Sequence, residues 1–372
     1  MNGALKRYGS SLRREVGDFA RDICVKAGNT AAHRQTGQRQ AGGKDCIKKQ
    51  TGFFQREAPL REFVVSSILV INLNPTFQRT ISLPRLDRGE VNRASLARLD
   101  IAGKGVNTAR VIQQLGGDVR LITHLGSERN ILLNFCAREN LSILWEASEA
   151  RIRTCVTLLE TATGEMTEII EPSDPVEEDV VRRINALAAK EIENTDWLIL
   201  TGTRAPGYPE NLFAGFCRLA HEKGVKVAVD FQGPELLECL KIGIHTVKIN
   251  LVEFTRTFLP EYEAKEAEDR ALVKPASQAM RELSQGEGCA FVVTRGRRDV
   301  LFAQEGHLHT LRPPPVKAVN TIGSGDAFMA GMTFALAGGA SLRDAVAEGS
   351  RCGSLNASLL QPGRIKKPDD GE

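Results

Sequence analysis

The sequence has few aromatic residues and lacks the signatures of several protein classes. Aromatic side chains make up 5% of its 372 residues, and no run of about 18 apolar residues occurs that could span a membrane. The eight cysteines include no CxxC pair and no histidine at ligand spacing, which argues against a zinc site and a disulfide framework. The sequence also lacks GxxxxGKS or GxxxxGKT, the His-Arg-Asp and Asp-Phe-Gly motifs, and a GxGxxG after the first strand. P-loop enzymes, protein kinases and dinucleotide-binding dehydrogenases are therefore disfavoured.

The excess of basic residues lies in the first part of the chain. Residues 1–62 carry 13 Lys and Arg against 6 Asp and Glu, a formal charge of +7, so the remaining residues carry −4 of the total of +3. Because these remaining residues offer no basic cluster, nucleic acid is not an expected partner. Residues 1–62 are polar and show no apolar periodicity, so we expect a disordered extension or an over-extended gene start. A targeting segment is the alternative, against which Glu15, Asp18 and Asp22 argue.

From residue 64 onward, strand and helix patterns alternate. Residues 64–73 are a run of mostly β-branched apolar residues, as in a buried strand, and residues 103–115 have the pattern of a helix. The alternation predicts an α/β fold with a doubly wound, mostly parallel sheet flanked by helices. Two segments with hairpin patterns interrupt it. We therefore predict one domain at residues 63–365, with a small β lid formed by about residues 78–101 and 152–171.

A glycine-rich turn precedes a long apolar helix pattern near the end of the chain. Gly323, Ser324 and Gly325 leave backbone N–H groups open just before a helix that starts near Asp326. With the helix dipole, such amides bind an anion, for example a phosphoryl group in transfer, and a carboxylate beside them can act as a base. The alternative is that Asp326 only caps the helix, which aspartate does readily.

Three segments resemble the signatures of the ribokinase-like (PfkB) carbohydrate kinases, and they follow one another along the chain in the family's order. Asn320 to Asp326 is similar to Asp-Thr-x-Gly-Ala-Gly-Asp, residues 102–107 to Gly-Gly-Lys-Gly-x-Asn, and residues 247–254 to a segment with Lys-Pro-Asn-x-x-Glu. The resemblance covers about residues 65–363 and implies the ribokinase-like fold. It also implies phosphorylation of a sugar hydroxyl by ATP with Mg2+, and Asp326 as the catalytic base.

The resemblance implies a role for each residue at a matching position. The catalytic group is Asp326 with the amides of Gly323, Ser324 and Gly325. The residues implied on the sugar side are Asn74, Gln78, Gly103, Lys104 and Asn107. Those implied on the nucleotide side are Lys248, Asn250, Glu253, Thr294, Gly296, Thr321 and Asn356, with Glu253 also acting indirectly on Mg2+. Three departures leave open a degenerate kinase fold retained as a ligand sensor or interaction protein: Ala102 for the first glycine, Gln78 for an aspartate, and the altered turn at residues 294–296.

Further segments are similar to the branch that contains 1-phosphofructokinase and tagatose-6-phosphate kinase. Residues 74–80 follow its Asn-Pro-Ala-x-Asp-x-Thr pattern and residues 89–93 its Gly-x-Val-Asn-Arg pattern. The branch implies that Arg93 and Arg153 hold a phosphate already present on the substrate, a task that suits guanidinium groups. The expected substrate is a ketohexose phosphate, namely fructose 1-phosphate, fructose 6-phosphate or tagatose 6-phosphate, and the alternative is an unphosphorylated sugar or a nucleoside. We also expect a cytoplasmic enzyme and a homodimer contact through the lid.

Overall fold

The structure is a computed structural model that describes residues 66–262, 268–285 and 289–366. The predicted extension at residues 1–62 lies outside the described residues. The strands of the described chain are β1 (Ser67–Ile71), β2 (Thr76–Leu83), β3 (Leu96–Ala102), β4 (Asp118–Leu125), β5 (Ile143–Ala147), β6 (Arg153–Glu160), β7 (Met166–Ile170), β8 (Trp197–Thr201), β9 (Lys226–Asp230), β10 (Thr246–Asn250), β11 (Ala290–Arg295), β12 (Arg298–Gln304) and β13 (His307–Leu311). Its helices are α1 (Lys104–Gln114), α2 (Arg129–Arg138), α3 (Glu178–Ile192), α4 (Leu212–Glu222), α5 (Pro234–Ile242), α6 (Leu251–Phe258), α7 (Val273–Leu283), α8 (Ser324–Ala337) and α9 (Leu342–Ala357). None of these helices is long and apolar enough to cross a lipid bilayer.

Nine strands form one large sheet in the order β13-β12-β11-β10-β9-β8-β1-β4-β5. Neighbours from β11 to β5 pair in parallel, whereas β12 pairs antiparallel with both β11 and β13. In β1, Ile68, Leu69, Val70 and Ile71 are almost completely buried. A continuous apolar run of this kind is typical of a parallel strand that is covered on both faces.

Helices cover both faces of the large sheet. Leu69 and Ile71 of β1 belong to a core that includes residues of α3 to α7, whereas Ile68 and Val70 belong to a second core with residues of α1, α2, α8 and α9. Because alternate residues of one strand supply the two cores, the sheet is the middle layer of a three-layer arrangement. This confirms the doubly wound, mostly parallel sheet that the sequence predicts.

The other four strands form a separate sheet in the order β3-β2-β6-β7, which we call the lid sheet. Strand β2 pairs antiparallel with β3 and parallel with β6, and β6 pairs antiparallel with β7. The lid sheet thus joins the two hairpin segments that interrupt the strand and helix alternation. Strand β7 is exposed along its whole length.

The elements of the large layer that are not predicted from the sequence include β5, β12, β13, α5 and α9. The β12-β13 hairpin continues the sheet beyond β11, and α5 is a nine-residue helix with Pro234 in its first turn. A helix this short repeats its apolar spacing too few times to be recognised by periodicity.

Candidate active site

Polar side chains gather where the parallel strands of the large sheet end. Asn72 follows β1, and Asp230 and Asn250 are the last residues of β9 and β10. Helices α1 and α8 also begin here, since the Nδ2 group of Asn107 in α1 donates a hydrogen bond to Asp326 in α8. The carboxyl ends of the strands are where open α/β sheets bind ligands.

The first turn of α8 is left open. Gly323 has a φ of 78° at the N-cap position, and no side chain caps the helix. A Cβ atom at residue 323 would lie 2.9 Å from the backbone nitrogen of Gly363, and one at residue 325 would lie 3.0 Å from Nζ of Lys248. The turn therefore needs residues without side chains at both positions, and its backbone N–H groups can face a negatively charged group.

The side chain of Asn356 stabilises the turn at the start of α8 through hydrogen bonds. Its Nδ2 group donates to the backbone carbonyl of Ile322 at 2.8 Å and to Oγ of Ser324 at 3.1 Å. Its Oδ1 atom accepts from the backbone N–H of Arg364 at 3.2 Å, and the residue is completely buried. These contacts position the turn, and the nucleotide contact predicted for Asn356 stays a prediction.

Asp326 is a buried carboxylate in the first turn of α8, with 6% of its surface exposed. Its Oδ2 atom accepts a hydrogen bond of 2.8 Å from Nδ2 of Asn107. Burial raises the pKa of Asp326 to about 6, and the charge of Asp230 acts in the same direction, against the opposing effects of Lys104, Asn107 and Lys248. A carboxylate with this pKa is ionised at neutral pH and accepts a proton more readily than an exposed aspartate does.

Two lysines converge on Asp230. The Nζ atom of Lys248 lies 2.8 Å from Oδ2 of Asp230, and Nζ of Lys104 lies 3.1 Å from Oδ1 of Asp230 and 3.2 Å from Oε1 of Glu253. Burial would raise the pKa of Asp230, but the two lysines lower it below its usual value. Burial would likewise lower the pKa of Lys104, but Asp230, Glu253 and Asp326 raise it. Asp230 and Lys104 are therefore both charged at neutral pH. This ionic cluster of Asp230, Lys104, Lys248 and Glu253 joins the start of α1 to that of α6.

Asn250 and Glu253 form a capping box at the start of α6. The Oδ1 atom of Asn250 accepts from the backbone N–H of Glu253 at 2.9 Å, and Oε2 of Glu253 accepts from the backbone N–H of Asn250 at 3.0 Å. Oε1 of Glu253 is left to face Lys104. No group of three or more metal-ligating side chains occurs in the described chain. Glu253, whose side chain is partly exposed, suits Mg2+ that arrives on nucleotide phosphates, because Mg2+ keeps most of its shell as water and phosphate oxygens. Both oxygens of the buried Asp230 are bonded to lysines.

The predicted sugar-side residues lie around the start of α1. Gly103 has a φ of 108°, and a Cβ atom there would lie 3.3 Å from the backbone oxygen of Asn74. The Asn74 side chain donates to Thr203 at 3.1 Å and accepts from Ser173 at 2.9 Å. Oδ1 of Asn107 is buried without a hydrogen-bond partner in the described structure. A buried acceptor without a partner is costly, so Asn107 suits a hydroxyl group of a ligand.

The remaining predicted residues are spread over the nucleotide side and the lid sheet. Thr294 is half-buried near the end of β11, Gly296 turns the chain with a φ of 55°, and Thr321 is exposed. Gln78 is buried in the lid sheet, where its Nε2 group donates to Oγ1 of Thr157 at 2.7 Å.

The two predicted phosphate-binding arginines differ in their surroundings. Arg93 is exposed in the connection between β2 and β3. Arg153 is the half-buried first residue of β6, and its Nε atom is buried without a hydrogen-bond partner in the described structure. The structure therefore places an available guanidinium N–H inside the protein at Arg153 and not at Arg93.

Two residues of the cluster are not among those predicted from the sequence. Asp230 is completely buried yet binds both lysines, and Nδ2 of Asn72 is buried without a described hydrogen-bond partner. Both are polar residues at the end of an apolar strand of a parallel sheet. This placement is the sequence signal by which they could have been found.

A three-layer α/β fold with a separate lid sheet and a glycine-rich helix start defines the ribokinase-like class of phosphotransferases. A match to the pfkB family of carbohydrate kinases covers residues 64–366. ATP-dependent 6-phosphofructokinase isozyme 2 of Escherichia coli K12 is 28% identical over 305 residues, which cover 82% of this chain and 96% of the relative. The tagatose-6-phosphate kinase of Staphylococcus epidermidis is 26% identical over 306 residues, or 80% of this chain and 94% of the relative. The crystal structure of E. coli phosphofructokinase-2 in complex with substrates and products has a TM-score of 0.69 at 26% identity, covering 78% of this chain and 93% of that chain.

The chain therefore belongs to the pfkB family of carbohydrate kinases. It is an enzyme, a phosphotransferase with an alcohol group as acceptor. The resemblance to the branch of phosphofructokinases and tagatose-6-phosphate kinase is confirmed by these relatives.

Proposed function

We propose that this enzyme transfers the γ-phosphoryl group of ATP to a hydroxyl group of a ketohexose phosphate, with Asp326 as the catalytic base. The candidate substrates are fructose 1-phosphate, fructose 6-phosphate and tagatose 6-phosphate. The observation that carries the proposal is the contact between Asp326 and Asn107 at the open first turn of α8. A structural cap has no need of burial or a raised pKa, and Asp326 has both.

Each group of the site has a defined task in this transfer. Asp326 accepts the proton of the sugar hydroxyl, whose oxygen forms the new bond to the γ-phosphorus. The bond from phosphorus to the bridging oxygen breaks, and ADP leaves with that electron pair. The backbone N–H groups of Gly323 to Asp326 stabilise the charge that develops on the transferred group. Asn107 orients Asp326 through Nδ2 and offers its free Oδ1 atom to a sugar hydroxyl.

The nucleotide side is formed by Asp230, Lys248 and Glu253, which Lys104 of the sugar side joins through its two ion pairs. Glu253 would hold Mg2+ through the water shell of the ion, and the ion would neutralise part of the phosphate charge when it is bound. Lys104 bonds to Asp230 and Glu253, and Lys248 bonds to Asp230, whose pKa the two lysines lower. The same lysines add positive charge beside the open turn, where the transferred group passes.

The preference for a phosphorylated acceptor rests on two observations. The relatives include a 6-phosphofructokinase and a tagatose-6-phosphate kinase. In addition, Arg153 of the lid sheet has a buried Nε atom with no described partner, and a guanidinium group binds phosphate through paired, charge-assisted hydrogen bonds. An unphosphorylated sugar would leave this group without a partner.

A substrate panel tests the proposal. The purified chain is incubated with MgATP and, separately, each of the three ketohexose phosphates, fructose and ribose, and release of ADP is followed. We expect turnover on one hexose phosphate, and none with the Asp326→Ala variant. Turnover on fructose or ribose alone would refute the phosphorylated substrate, and equal turnover by the variant would refute the role of Asp326.

Assembly and location complete the proposal. Ile169 and Ile170 of β7 expose 54% and 55% of their surface on the edge strand of the lid sheet, which suits a homodimer contact between two lids. Light scattering of the wild-type protein and of an Ile169→Lys variant tests this contact, because the charge should favour monomers. We place the enzyme in the cytoplasm, where ATP and sugar phosphates are available.

A further inference from the structure

The lid sheet has two different faces. Gln78 of β2 lies opposite Asp100 of β3, and Thr80 lies opposite Arg98, so these side chains share one face. Gln78 also bonds to Thr157 of β6 on the same face. The intervening residues of the strands belong to the other face. We call the face of Gln78 the inner face.

The inner face is turned toward the catalytic residues. Asp100 accepts hydrogen bonds from Arg110 of α1 at 3.3 Å and from Nε2 of Gln361 at 2.9 Å. Arg110 follows Asn107 by three residues, which is about one helical turn. Two residues beyond Gln361, a Cβ atom on Gly363 would lie 2.8 Å from Cα of Asn107. The side chains of the inner face are therefore anchored next to the residue that orients the catalytic base.

The opposite face is directed away from this region. Phe77, Arg79 and Leu99 line a shallow cavity together with Ile131 of α2. Arg79 is exposed there. The lid sheet thus carries arginines on both faces, and their different surroundings provide an internal comparison.

Two arginines flank Gln78 on the inner face. Arg153 of β6 lies opposite Thr76, and Arg98 of β3 lies opposite Thr80, on the other side of β2. The Nε atom of each is buried and has no hydrogen-bond partner in the described structure. Glu168 of β7 lies on this face and attracts Arg153. Arg98 forms no ion pair within the described residues. Asp100, the acidic residue nearest to it along β3, is already bonded to Arg110 and Gln361.

A buried guanidinium N–H without an acceptor is unfavourable, so it indicates a site that an anionic ligand completes. We propose that Arg98, together with Arg153, binds the phosphate group that the acceptor sugar already carries. This inference rests on the proposed function and names the residue that selects a sugar phosphate over an unphosphorylated sugar. Arg98 takes the place that the sequence pattern assigns to Arg93. Arg98 lies two residues along β3 from Asp100, the partner of Gln78, which is a distance of roughly 7 Å. An extended arginine side chain can span this distance to reach a ligand beside Gln78.

The test compares Arg98→Gln with Arg79→Gln, a matched change on the other face of the same sheet. Steady-state kinetics are measured with the best hexose phosphate of the panel and with ATP as the varied substrates. We expect Arg98→Gln to raise KM for the sugar phosphate by about 10-fold to 100-fold, the range for loss of a charge-assisted hydrogen bond. The KM for ATP should not change, and Arg79→Gln should behave as the wild type. Arg98→Lys keeps the positive charge but loses the paired N–H groups of the guanidinium. Its KM for the sugar phosphate should lie between those of the wild type and Arg98→Gln.

The outcomes separate this inference from the function on which it rests. If the wild type phosphorylates no hexose phosphate, the proposed function fails. If the wild type is active and both Arg98 variants match Arg79→Gln, only the role of Arg98 is overturned. If Arg98→Gln raises the KM values of ATP and the sugar phosphate equally, the residue acts on the whole site and its assignment to the phosphate is wrong. Calorimetric titration of the sugar phosphate without nucleotide should show the same loss of affinity.

Discussion

Replacing Asp326 with asparagine should abolish phosphoryl transfer and yet stabilise the folded protein. Burial raises the pKa of Asp326 from 3.8 to about 6. An acid with a raised folded-state pKa binds its proton more tightly in the folded state, so its favourable contribution is present below pH 3.8 and is lost as the pH rises through about 6. A shift of about two pH units corresponds to about 3 kcal/mol that the ionised carboxylate costs at pH 8.

Asparagine removes this cost because it has nearly the same shape as aspartate and no charge. Its side-chain oxygen can still accept the hydrogen bond from Asn107. We expect urea unfolding at pH 8 to show a gain of about 3 kcal/mol in the free energy of unfolding. At pH 5 the gain should fall to about half, because the folded wild type has then largely bound a proton that the unfolded chain has not.

Asp344 supplies the matched control. It is the third residue of α9, as Asp326 is the third residue of α8, but it is exposed and accepts a hydrogen bond of 2.6 Å from Oγ of Ser341. The change Asp344→Asn should therefore lower stability slightly, by less than about 1 kcal/mol, through the weaker interaction with the helix dipole. The reasoning is refuted if Asp326→Asn unfolds at the same or a lower urea concentration than the wild type at pH 8. In the wild type, kcat/KM should fall below about pH 6.

Two further changes probe residues that do not take part in the reaction directly. Asn356→Asp keeps the acceptor but loses the donor to the Ile322 carbonyl and adds negative charge behind the open turn, so kcat should fall about tenfold or more while KM for the sugar stays unchanged. A raised KM with normal kcat in steady-state assays would contradict this. Burial lowers the pKa of His124 to about 4. Between about pH 6.5 and 4 the unfolded chain therefore binds a proton that the folded protein does not. The free energy of unfolding should fall by about 3 kcal/mol as the pH drops through this window. Urea titrations of His124→Gln should lack this contribution, and an unchanged difference from the wild type across the window would disprove it.

The sequence predicts best the parts of the site that are local in the chain. Gly323 to Asp326 are contiguous, and the helix that follows them is found at Ser324–Ala337 as expected. Lys104 and Asn107 lie within one turn of a helix, so their spacing alone places them near each other. In both cases the chemistry depends on residues whose relative positions are fixed by a single element.

The parts that the sequence misses depend on pairing between distant segments. Asp230 forms ion pairs with two lysines only because β9 lies beside β10 and near the start of α1. Arg98 reaches the inner face of the lid sheet only through the register of β2 with β3. A pattern of residues contains no information on register unless the turn that sets it is recognised. This is why the Gly-x-Val-Asn-Arg pattern favours Arg93 and the pairing of β2 with β3 favours Arg98.

The two buried aspartates of the site acquire different pKa values because the lysines are shared unequally between them. Lys104 and Lys248 both bond directly to Asp230, whose pKa is lowered, whereas Asp326 is bonded to the neutral Asn107 and its pKa is raised. Carboxylates that differ in this way divide the roles of ionic anchor and proton acceptor. The change Asp230→Asn removes a negative charge near Asp326 and frees the lysines to stabilise its ionised form. The acidic limb of the pH profile of kcat/KM should then move below pH 6 even as kcat falls. A limb that stays in place or moves to higher pH would show that Asp230 does not set the basicity of Asp326.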